Sequence, residues 1–104
     1  MAKNLQKMLK EAQKLEKRVA EVRASLADMK VEGTAGGGAV SVTMNGQRDV
    51  LGVSIDPSVI EDGDASMLED LLVSALRDAK ERSDKLAAEE MSKVTGMAIP
   101  PGTM

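Results

Sequence analysis

The sequence predicts an α+β fold in the order α-β-β-β-α, in which a small antiparallel sheet joins two long projecting helices. Three patterns predict it: a heptad repeat of apolar residues near the start of the chain, an alternation of apolar and polar residues in the middle, and a second helical repeat toward the end. The 104 residues are expected to form one domain. Its predicted parts are a helix over 2–30, a three-stranded sheet over 31–56, a helix over 65–95 and an extended tail over 97–104.

The first predicted helix carries an unbroken heptad of apolar residues, typical of a helix that packs along a second helix. We call this row the seam; it comprises Leu5, Met8, Ala12, Leu15, Val19, Val22, Leu26 and Met29. At about 1.5 Å per residue the helix would be roughly 40 Å long. A change of composition toward the glycines that begin at Gly33 is expected to end it.

The middle of the chain has the two-residue period of β-strands. Its apolar positions are Val40, Val42 and Met44, then Leu51, Val53 and Ile55. Asn45-Gly46 lies between the two runs and suits a hairpin turn, which needs positive φ values. Residues 31–35 are expected to add a third strand, because an isolated hairpin is only marginally stable.

Two registers of the hairpin agree with the alternation. A loop over 45–48 sets Val42 opposite Leu51, which pairs apolar residues across the strands. A two-residue loop keeps the same faces but sets Val42 opposite Asp49. We therefore predict the longer loop.

The second long helix follows a break at Asp56-Pro57. Its N-cap is either Asp64 or Ser66, the latter forming a capping box with Glu69. Apolar residues are dense in the first half of this helix, which can pack on a sheet, and sparse in the second half. Three pairs of opposite charge at i,i+4 are predicted to stabilise it and not to catalyse a reaction. These pairs are Asp78 with Arg82, Glu81 with Lys85, and Glu89 with Lys93.

The lengths of the elements constrain how they pack. A strand of about seven residues spans roughly 24 Å, whereas the first helix would span about 40 Å. The helix must therefore extend beyond the sheet and needs a partner along its seam. The later turns of the second helix, in the same chain or in a second copy, can cover the seam as an antiparallel neighbour.

The composition excludes many functions. The chain has no cysteine, histidine, phenylalanine, tyrosine or tryptophan, so thiol and imidazole chemistry, the usual zinc sites and stacking on bases are not available. No apolar run approaches the roughly 20 residues of a membrane span, and the charged N-terminus does not resemble a signal peptide. We expect a cytoplasmic protein without enzymatic activity, cofactor, metal or membrane partner.

Two segments resemble ligand loops but do not satisfy their requirements. The glycines over 33–38 follow a helix and enter a strand, whereas phosphate-binding loops open a helix. They are expected to end the first helix and to allow close backbone approach. The acidic run over 61–64 matches a calcium loop in part, but Ser58 and Ile60 stand where the first two carboxylates are required. A solvated loop with acid near a helix N-terminus is the expected structure.

Basic residues form a row along the first helix. Its members are Lys3, Lys7, Lys10, Lys14 and Lys17, with Arg18 beside it. The first 23 residues hold seven bases and three acids although the net charge of the whole chain is -3. We call these six residues the basic stripe. From the spacing alone, it suits either contact with nucleic-acid phosphates or the solvated face of a coiled coil.

Several motifs resemble the YbaB/EbfC family of bacterial nucleoid-associated proteins. They are the basic heptad over 1–29, V-E-G-x-A-G-G-G over 31–38, V-x-V-x-x-N-G over 40–46, I-D-P over 55–57 and L-E-D-L over 68–71. The resemblance follows the same order along nearly the whole chain. It implies an α-β-β-β-α homodimer in which sheets lie at the centre and long helices project like the arms of tweezers.

The resemblance also implies a function. It implies a protein of the nucleoid that binds double-stranded DNA with its projecting helices and has links to nucleoid organisation, gene regulation or recombination and repair. The residues carried over are Lys3, Lys7, Lys10, Lys14, Lys17 and Arg18. The second helix does not share this charge, because residues 65–95 hold seven acids and five bases.

One alternative belongs to another class of function. The chain would be a coiled-coil adaptor that binds proteins of the recombination or replication machinery without touching DNA, and its lysines would serve solubility.

Under the DNA-binding hypothesis, the expected DNA contacts are mainly with phosphates, because arginine is scarce on the stripe and aromatic residues are absent.

Overall fold

The computed structural model describes residues 2–61 and 63–95, with side chains over 4–61 and 63–94. The predicted fold class is confirmed. A three-stranded antiparallel sheet in the order β1-β2-β3 lies between two long helices in the sequence. The predicted tail over 97–104 falls outside the described residues. The elements are α1 (Ala2–Leu26), β1 (Lys30–Ala35), a 3-10 turn (Gly36–Gly38), β2 (Val40–Asn45), β3 (Val50–Ile55), α2 (Pro57–Glu61) and α3 (Ala65–Thr95).

The hairpin register differs from the prediction. Val42 pairs with Val53 and not with Leu51, and Met44 pairs with Val50 across an irregularity in the ladder. The turn occupies 46–49, and Arg48 takes a positive φ of 67°. Leu51 is therefore an extra residue on β3, between the partners of Thr43 and Met44, and forms a bulge. The partner of Val42 has moved by two residues from the predicted one, and an even shift keeps Val53 on the predicted face.

The core lies between one face of the sheet and α3. Val40, Val42 and Met44 are buried against Ala75 and Ala79, because every second residue of a strand points to the same face. These alanines let the helix approach the sheet closely. Ser41 and Thr43, on the opposite face of β2, are polar and half-buried, as expected for an antiparallel sheet with one covered face.

Gly33 lies at the closest approach between β1 and α3. A Cβ atom at this position would overlap the backbone of Ala79 and the carbonyl oxygen of Ala75, and would lie 2.6 Å from Ala79 Cα. The predicted close backbone approach therefore occurs at Gly33. The glycines over 36–38 form the 3-10 turn between β1 and β2, with positive φ values at all three positions.

The end of α1 is fixed by the hairpin turn. The helix ends at Leu26 and not at residue 30, and Leu26 is buried. The Gly46 N–H donates to the carbonyl oxygens of Leu26 (2.9 Å) and Met29 (3.0 Å), and Gln47 Nε2 donates to the carbonyl oxygen of Arg23 (2.7 Å). Because the last carbonyls of a helix have no partner within it, donors from the turn complete the helix end.

Asn45 connects the turn to both long helices. Its Nδ2 donates to the carbonyl oxygen of Ala27 (3.3 Å) and to Asp49 Oδ2 (3.1 Å), and its Oδ1 accepts from the N–H groups of Gln47 (2.9 Å) and Asp49 (3.0 Å). Its backbone oxygen accepts from the hydroxyl of Ser83 at 2.8 Å. Asn45 and Ser83 are both buried, so these hydrogen bonds satisfy polar groups that water cannot reach.

Two aspartates cap helices in the segment after β3. Asp56 Oδ1 accepts from the N–H of Ser58 at 3.0 Å, and this hydrogen bond holds the pKa of Asp56 below its ordinary value. Asp64 Oδ1 accepts from the N–H of Met67 at 3.1 Å, which identifies Asp64 and not Ser66 as the cap of α3. The short helix α2 was not predicted, although an acidic cap followed by proline is a typical helix start.

The two long helices project beyond the sheet on the same side. Ser83 of α3 and Leu26 of α1 both adjoin the hairpin turn, and α3 continues away from the sheet while α1 runs toward it. The two helices pack together as antiparallel neighbours, so the same chain covers part of the seam. Val19 and Val22 are half-buried, whereas Leu5, Met8 and Leu15 are 61%, 65% and 44% exposed.

Asp78 ties α3 to the outer edge of β1, and this contact predicts a dependence of stability on pH. The N–H of Thr34 donates to Asp78 Oδ2 at 2.9 Å and holds the pKa of Asp78 below its ordinary value of 3.8. Because the folded state lowers this pKa, ionised Asp78 stabilises the fold above the pKa of the unfolded chain, and this contribution is lost as pH falls through the folded pKa.

We expect Asp78→Asn to be less stable than the wild type at pH 7. The difference should shrink as pH falls toward the ordinary pKa of 3.8 and vanish only below the lower pKa of folded Asp78, because asparagine resembles the protonated carboxyl. Urea unfolding at several pH values measures this. Glu81→Gln, at an exposed position on the same helix, is the control and should change stability little. A deficit of Asp78→Asn that persists unchanged at acid pH would contradict the prediction.

Candidate nucleic-acid interface

The basic stripe lies on the exposed surface of α1. Lys7, Lys10, Lys14, Lys17 and Arg18 are all exposed. With 3.6 residues per turn, the four lysines fall on one side of the helix, about 150° from the centre of the seam. The rise from Lys7 to Lys17 is roughly 15 Å. Lys3 belongs to α1, but its side chain falls outside the described residues.

No described side chain forms an ion pair with the described members of the stripe. These members are Lys7, Lys10, Lys14, Lys17 and Arg18. A row of unpaired cations on a rigid helix attracts polyanions and loses this attraction as salt rises. This arrangement suits contact with a row of phosphates.

The positive charge stops where α1 approaches the sheet. The next positions on the same side of the helix are Glu21, Ala24 and Asp28. The seam shows the opposite trend, because its side chains become more buried toward Leu26. The stripe therefore coincides with the part of α1 that extends beyond the sheet and is open to a large partner.

The ion pairs of α3 differ in part from those that the spacing predicts. Of the predicted i,i+4 pairs, Asp78 with Arg82 forms (3.2 Å), whereas Lys93 Nζ contacts Glu90 (3.0 Å) in place of Glu89, and Glu81 with Lys85 does not form among the described side chains. Across the turn, Arg48 pairs with Asp84. Two of the three carboxylates over 84–95 are thus paired with cations. Lys93 is already among the five bases of residues 65–95, so Arg48 alone adds positive charge to this helix from elsewhere in the chain.

The described residues offer little for other chemistry. Within 4–61 and 63–94, no group of three acidic side chains is placed to bind a metal ion. Within the described helices, none is long and apolar enough to cross a membrane.

The sequence did not reveal the residues that position α1. The sequence indicates Asn45 and Gly46 only as turn residues, and no local pattern distinguishes Ser83. A buried serine in the middle of a helix is a weak signal by itself, since small residues are common in helices. Its partner is 38 positions away, so local spacing could not identify it.

Comparison with known proteins gives a consistent result. The chain matches the YbaB/EbfC DNA-binding family over residues 1–98. A nucleoid-associated protein of Granulibacter bethesdensis is 43% identical over 101 residues, covering 96% of this chain and 94% of that protein. A nucleoid-associated protein of Gluconacetobacter diazotrophicus is 44% identical with the same coverage, and one of Alkaliphilus metalliredigens is 37% identical over 97% of this chain and 89% of its own length.

A solved structure shares the fold. The crystal structure of an uncharacterized protein from Helicobacter pylori superimposes with a TM-score of 0.66 at 24% sequence identity. The match covers 89% of this chain and 94% of the other chain. The arrangement of helices and strands described above is therefore found in a second protein.

Proposed function

The chain belongs to the YbaB/EbfC DNA-binding family, and from this membership we propose that it binds double-stranded DNA as a homodimer, through the phosphates and without catalysis. The observation that carries the proposal is the row of exposed, unpaired bases on the projecting part of α1. The relatives are named nucleoid-associated proteins, which supports our proposal that this chain acts at the nucleoid in the cytoplasm.

The geometry of the stripe favours the DNA backbone over the bases. Duplex DNA carries one negative charge per roughly 1.7 Å of its axis, so the roughly 15 Å between Lys7 and Lys17 faces several phosphates. Lysine binds phosphate as a point charge and reads bases less often than arginine, and Arg18 is the one arginine of the stripe. We therefore propose little sequence preference. Lys3, Lys7, Lys10, Lys14, Lys17 and Arg18 are the proposed contacts.

Charge reversal tests the stripe. We expect the triple variant Lys7→Glu, Lys10→Glu, Lys14→Glu to bind duplex DNA at least about tenfold more weakly, and its log–log salt slope to fall by about 0.9 for each phosphate that the variant no longer binds. Fluorescence anisotropy of a labelled duplex over a salt series measures both quantities. Wild-type protein that shows no binding at low salt would refute the proposal.

The matched control reverses three exposed bases elsewhere. Arg23 lies on α1 outside the basic stripe, Lys30 lies on β1 and Lys85 lies on α3; all three are exposed and form no ion pair among the described side chains. Changing all three to glutamate alters the net charge by the same amount as the stripe variant. Equal losses of affinity in the two variants would show a general charge effect and contradict a specific role of the stripe.

The uncovered strand β3 supports the homodimer. Asp78 lies on the flank of α3 that faces the outer edge of β1. Val73 and Leu76 lie on the opposite flank of the same helix, which therefore faces β3. A helix about 10 Å wide covers two strands spaced about 4.8 Å apart and leaves the third uncovered. Val53 on the same face of the sheet is 50% exposed, and Val73 and Leu76 are 47% and 37% exposed. An uncovered edge strand with apolar neighbours is a surface that proteins usually cover.

We propose that a second copy covers β3 and this flank of α3. Light scattering on a size-exclusion column should give twice the chain mass of 11.0 kDa, and Val53→Lys should reduce it to the mass of one chain. Ile60→Lys, at a position that is 61% exposed on α2, is the control and should remain dimeric. A wild-type mass of one chain at every concentration would refute the dimer.

The adaptor alternative is separable from DNA binding. Under the proposal, recombination or repair proteins recovered with the tagged chain depend on DNA and are lost after nuclease treatment. Partners that remain after complete nuclease digestion, together with no DNA binding by the purified protein, would favour the adaptor.

A further inference from the structure

Two apolar features lie on the surface of α1, both distinct from β3. The first, which we call the tip, consists of Leu5, Met8 and Leu9, which are 61%, 65% and 55% exposed. The second is an open groove farther along the same helix, and its described lining comes from α1 alone. The groove is lined by Leu15, Glu16, Val19, Ala20 and Arg23. The tip is thus a protruding apolar row, and the groove is a surface that can receive one.

Two copies of α1 that run in opposite directions bring each tip to the groove of the other. The tip and the groove are roughly 16 Å apart along one helix, measured from Met8 to Val19. When the second copy is reversed in direction, Met8 lies level with its Val19 and Ala12 lies level with its Leu15, so apolar seam residues meet in layers. Two-fold symmetry repeats the same contact in the other direction, so one interface fills both grooves.

The charges beside the seam favour this antiparallel arrangement over a parallel one. In the antiparallel register, Glu11 of each copy lies beside Arg18 of the other, which gives two pairs of opposite charge. A parallel pair in register would set Glu11 against Glu16 and Arg18 against Arg23, which are like charges. Glu11 and Arg18 are exposed, and neither forms an ion pair among the described side chains. The surface is therefore complementary to itself only when one copy is reversed.

We propose that a second copy of the chain packs its α1 antiparallel on this surface, with the tip of each copy in the groove of the other. A single pair of helices buries less surface than the roughly 1,600 Å² of a standard protein–protein interface, so the copies associate only at high protein concentration. The contact is separate from the one proposed at β3 and does not depend on DNA binding. The lysines of the basic stripe lie on the other side of α1 and stay open.

Single cysteines test the arrangement, because the natural chain contains none. Met8→Cys and Val19→Cys chains are co-expressed, purified together and oxidised at high protein concentration. Mass spectrometry without reduction distinguishes the mixed disulfide, from residue 8 to residue 19, from disulfides between identical variants. We expect the mixed disulfide to form at least about tenfold faster than either symmetric one. Lys10→Cys with Val19→Cys is the matched control and should show no such preference, because Lys10 lies opposite the seam on α1.

A charge exchange tests the pairing of Glu11 with Arg18. It is made in Val53→Lys chains, in which the contact proposed at β3 is disrupted, and association is measured without DNA by sedimentation velocity. Glu11→Arg and Arg18→Glu each set like charges at both pairs and should weaken association about tenfold. The double variant restores opposite charges and should regain the original association. Lys30→Glu, on β1, changes the net charge as Arg18→Glu does and should leave association unchanged.

The remaining outcomes overturn the proposal. Faster formation of disulfides from residue 8 to residue 8 would show a parallel pair or another register. Equal rates in the mixture and in its control would show that this surface does not select a second copy and takes another occupant. A double charge variant as weak as the two single variants would exclude the pairing of Glu11 with Arg18. The contact at β3 can fail independently, because the mixed disulfide should form whether or not Val53 is replaced by lysine.

Discussion

Replacing Gly33 with alanine is expected to lower the free energy of unfolding by about 3 kcal/mol, the upper range for overpacking a core. The added Cβ would overlap main-chain atoms of Ala75 and Ala79. Main-chain atoms within a helix cannot move aside as a flexible side chain can, so α3 must shift away from the sheet. Urea unfolding followed by circular dichroism measures the change.

Gly52→Ala is the matched control. Gly52 lies on the exposed strand β3, and no heavy atom lies within 4 Å of the position that its Cβ would take. We expect this variant to be unchanged or more stable by up to about 1 kcal/mol, because alanine reduces the entropy of the unfolded chain. Both variants are compared at one protein concentration, since a dimer would couple stability to concentration. Equal destabilisation of the two would contradict the close approach at Gly33.

The second large effect is expected at Asn45. Asn45→Ala removes the acceptor of two backbone N–H groups and the donor to the carbonyl oxygen of Ala27. Each buried polar group left without a partner costs about 1–3 kcal/mol, and water that enters the site offsets part of this. We expect a total loss of about 3 kcal/mol in the free energy of unfolding, measured by the same urea titration.

The control uses the other asparagine of the chain. Asn4 is exposed on α1, and Asn4→Ala should leave stability within about 0.5 kcal/mol of the wild type. Asn45→Asp retains an acceptor and loses the amide donor while placing a second carboxylate beside Asp49, so it should also be destabilised. A stability of Asn45→Ala equal to that of Asn4→Ala would show that the hydrogen bonds at the turn contribute nothing.

The order of the elements was predictable because each helix and strand has its own local pattern of apolar residues. The heptad indicates the first helix, and the alternation from Val40 indicates strands. The hairpin register was not predictable, because the bulge at Leu51 and the positive φ of Arg48 depend on how the turn packs. The helix α1 ends earlier than the sequence predicts. The backbone N–H of Gly46, which donates to the carbonyl oxygen of Leu26, is 20 residues away in the sequence, so local spacing does not reveal it.

One feature of the candidate site was likewise predictable from the sequence, and another was not. The spacing of the lysines is a property of one helix, so the stripe was visible in the sequence. Which charges are neutralised was not, because Arg48 and Asp84 are 36 residues apart and Lys93 contacts Glu90 in preference to Glu89. The excess of acids over bases on the second helix is a property of the sequence, and Arg48 offsets part of it from the hairpin turn. Contacts between distant parts of the chain decide this, and no local spacing records them.

The attachment of α1 at the hairpin turn makes the helix a lever. Its 25 residues extend about 37 Å from the anchor at Leu26, so a change of about 5° at the anchor displaces the far end by roughly 3 Å. Lys7 lies near the end of α1 that is farthest from the anchor, and Lys17 lies closer to the anchor. An amino-acid change at Gly46 or Asn45 therefore alters the direction of the whole row of lysines, although it touches none of them.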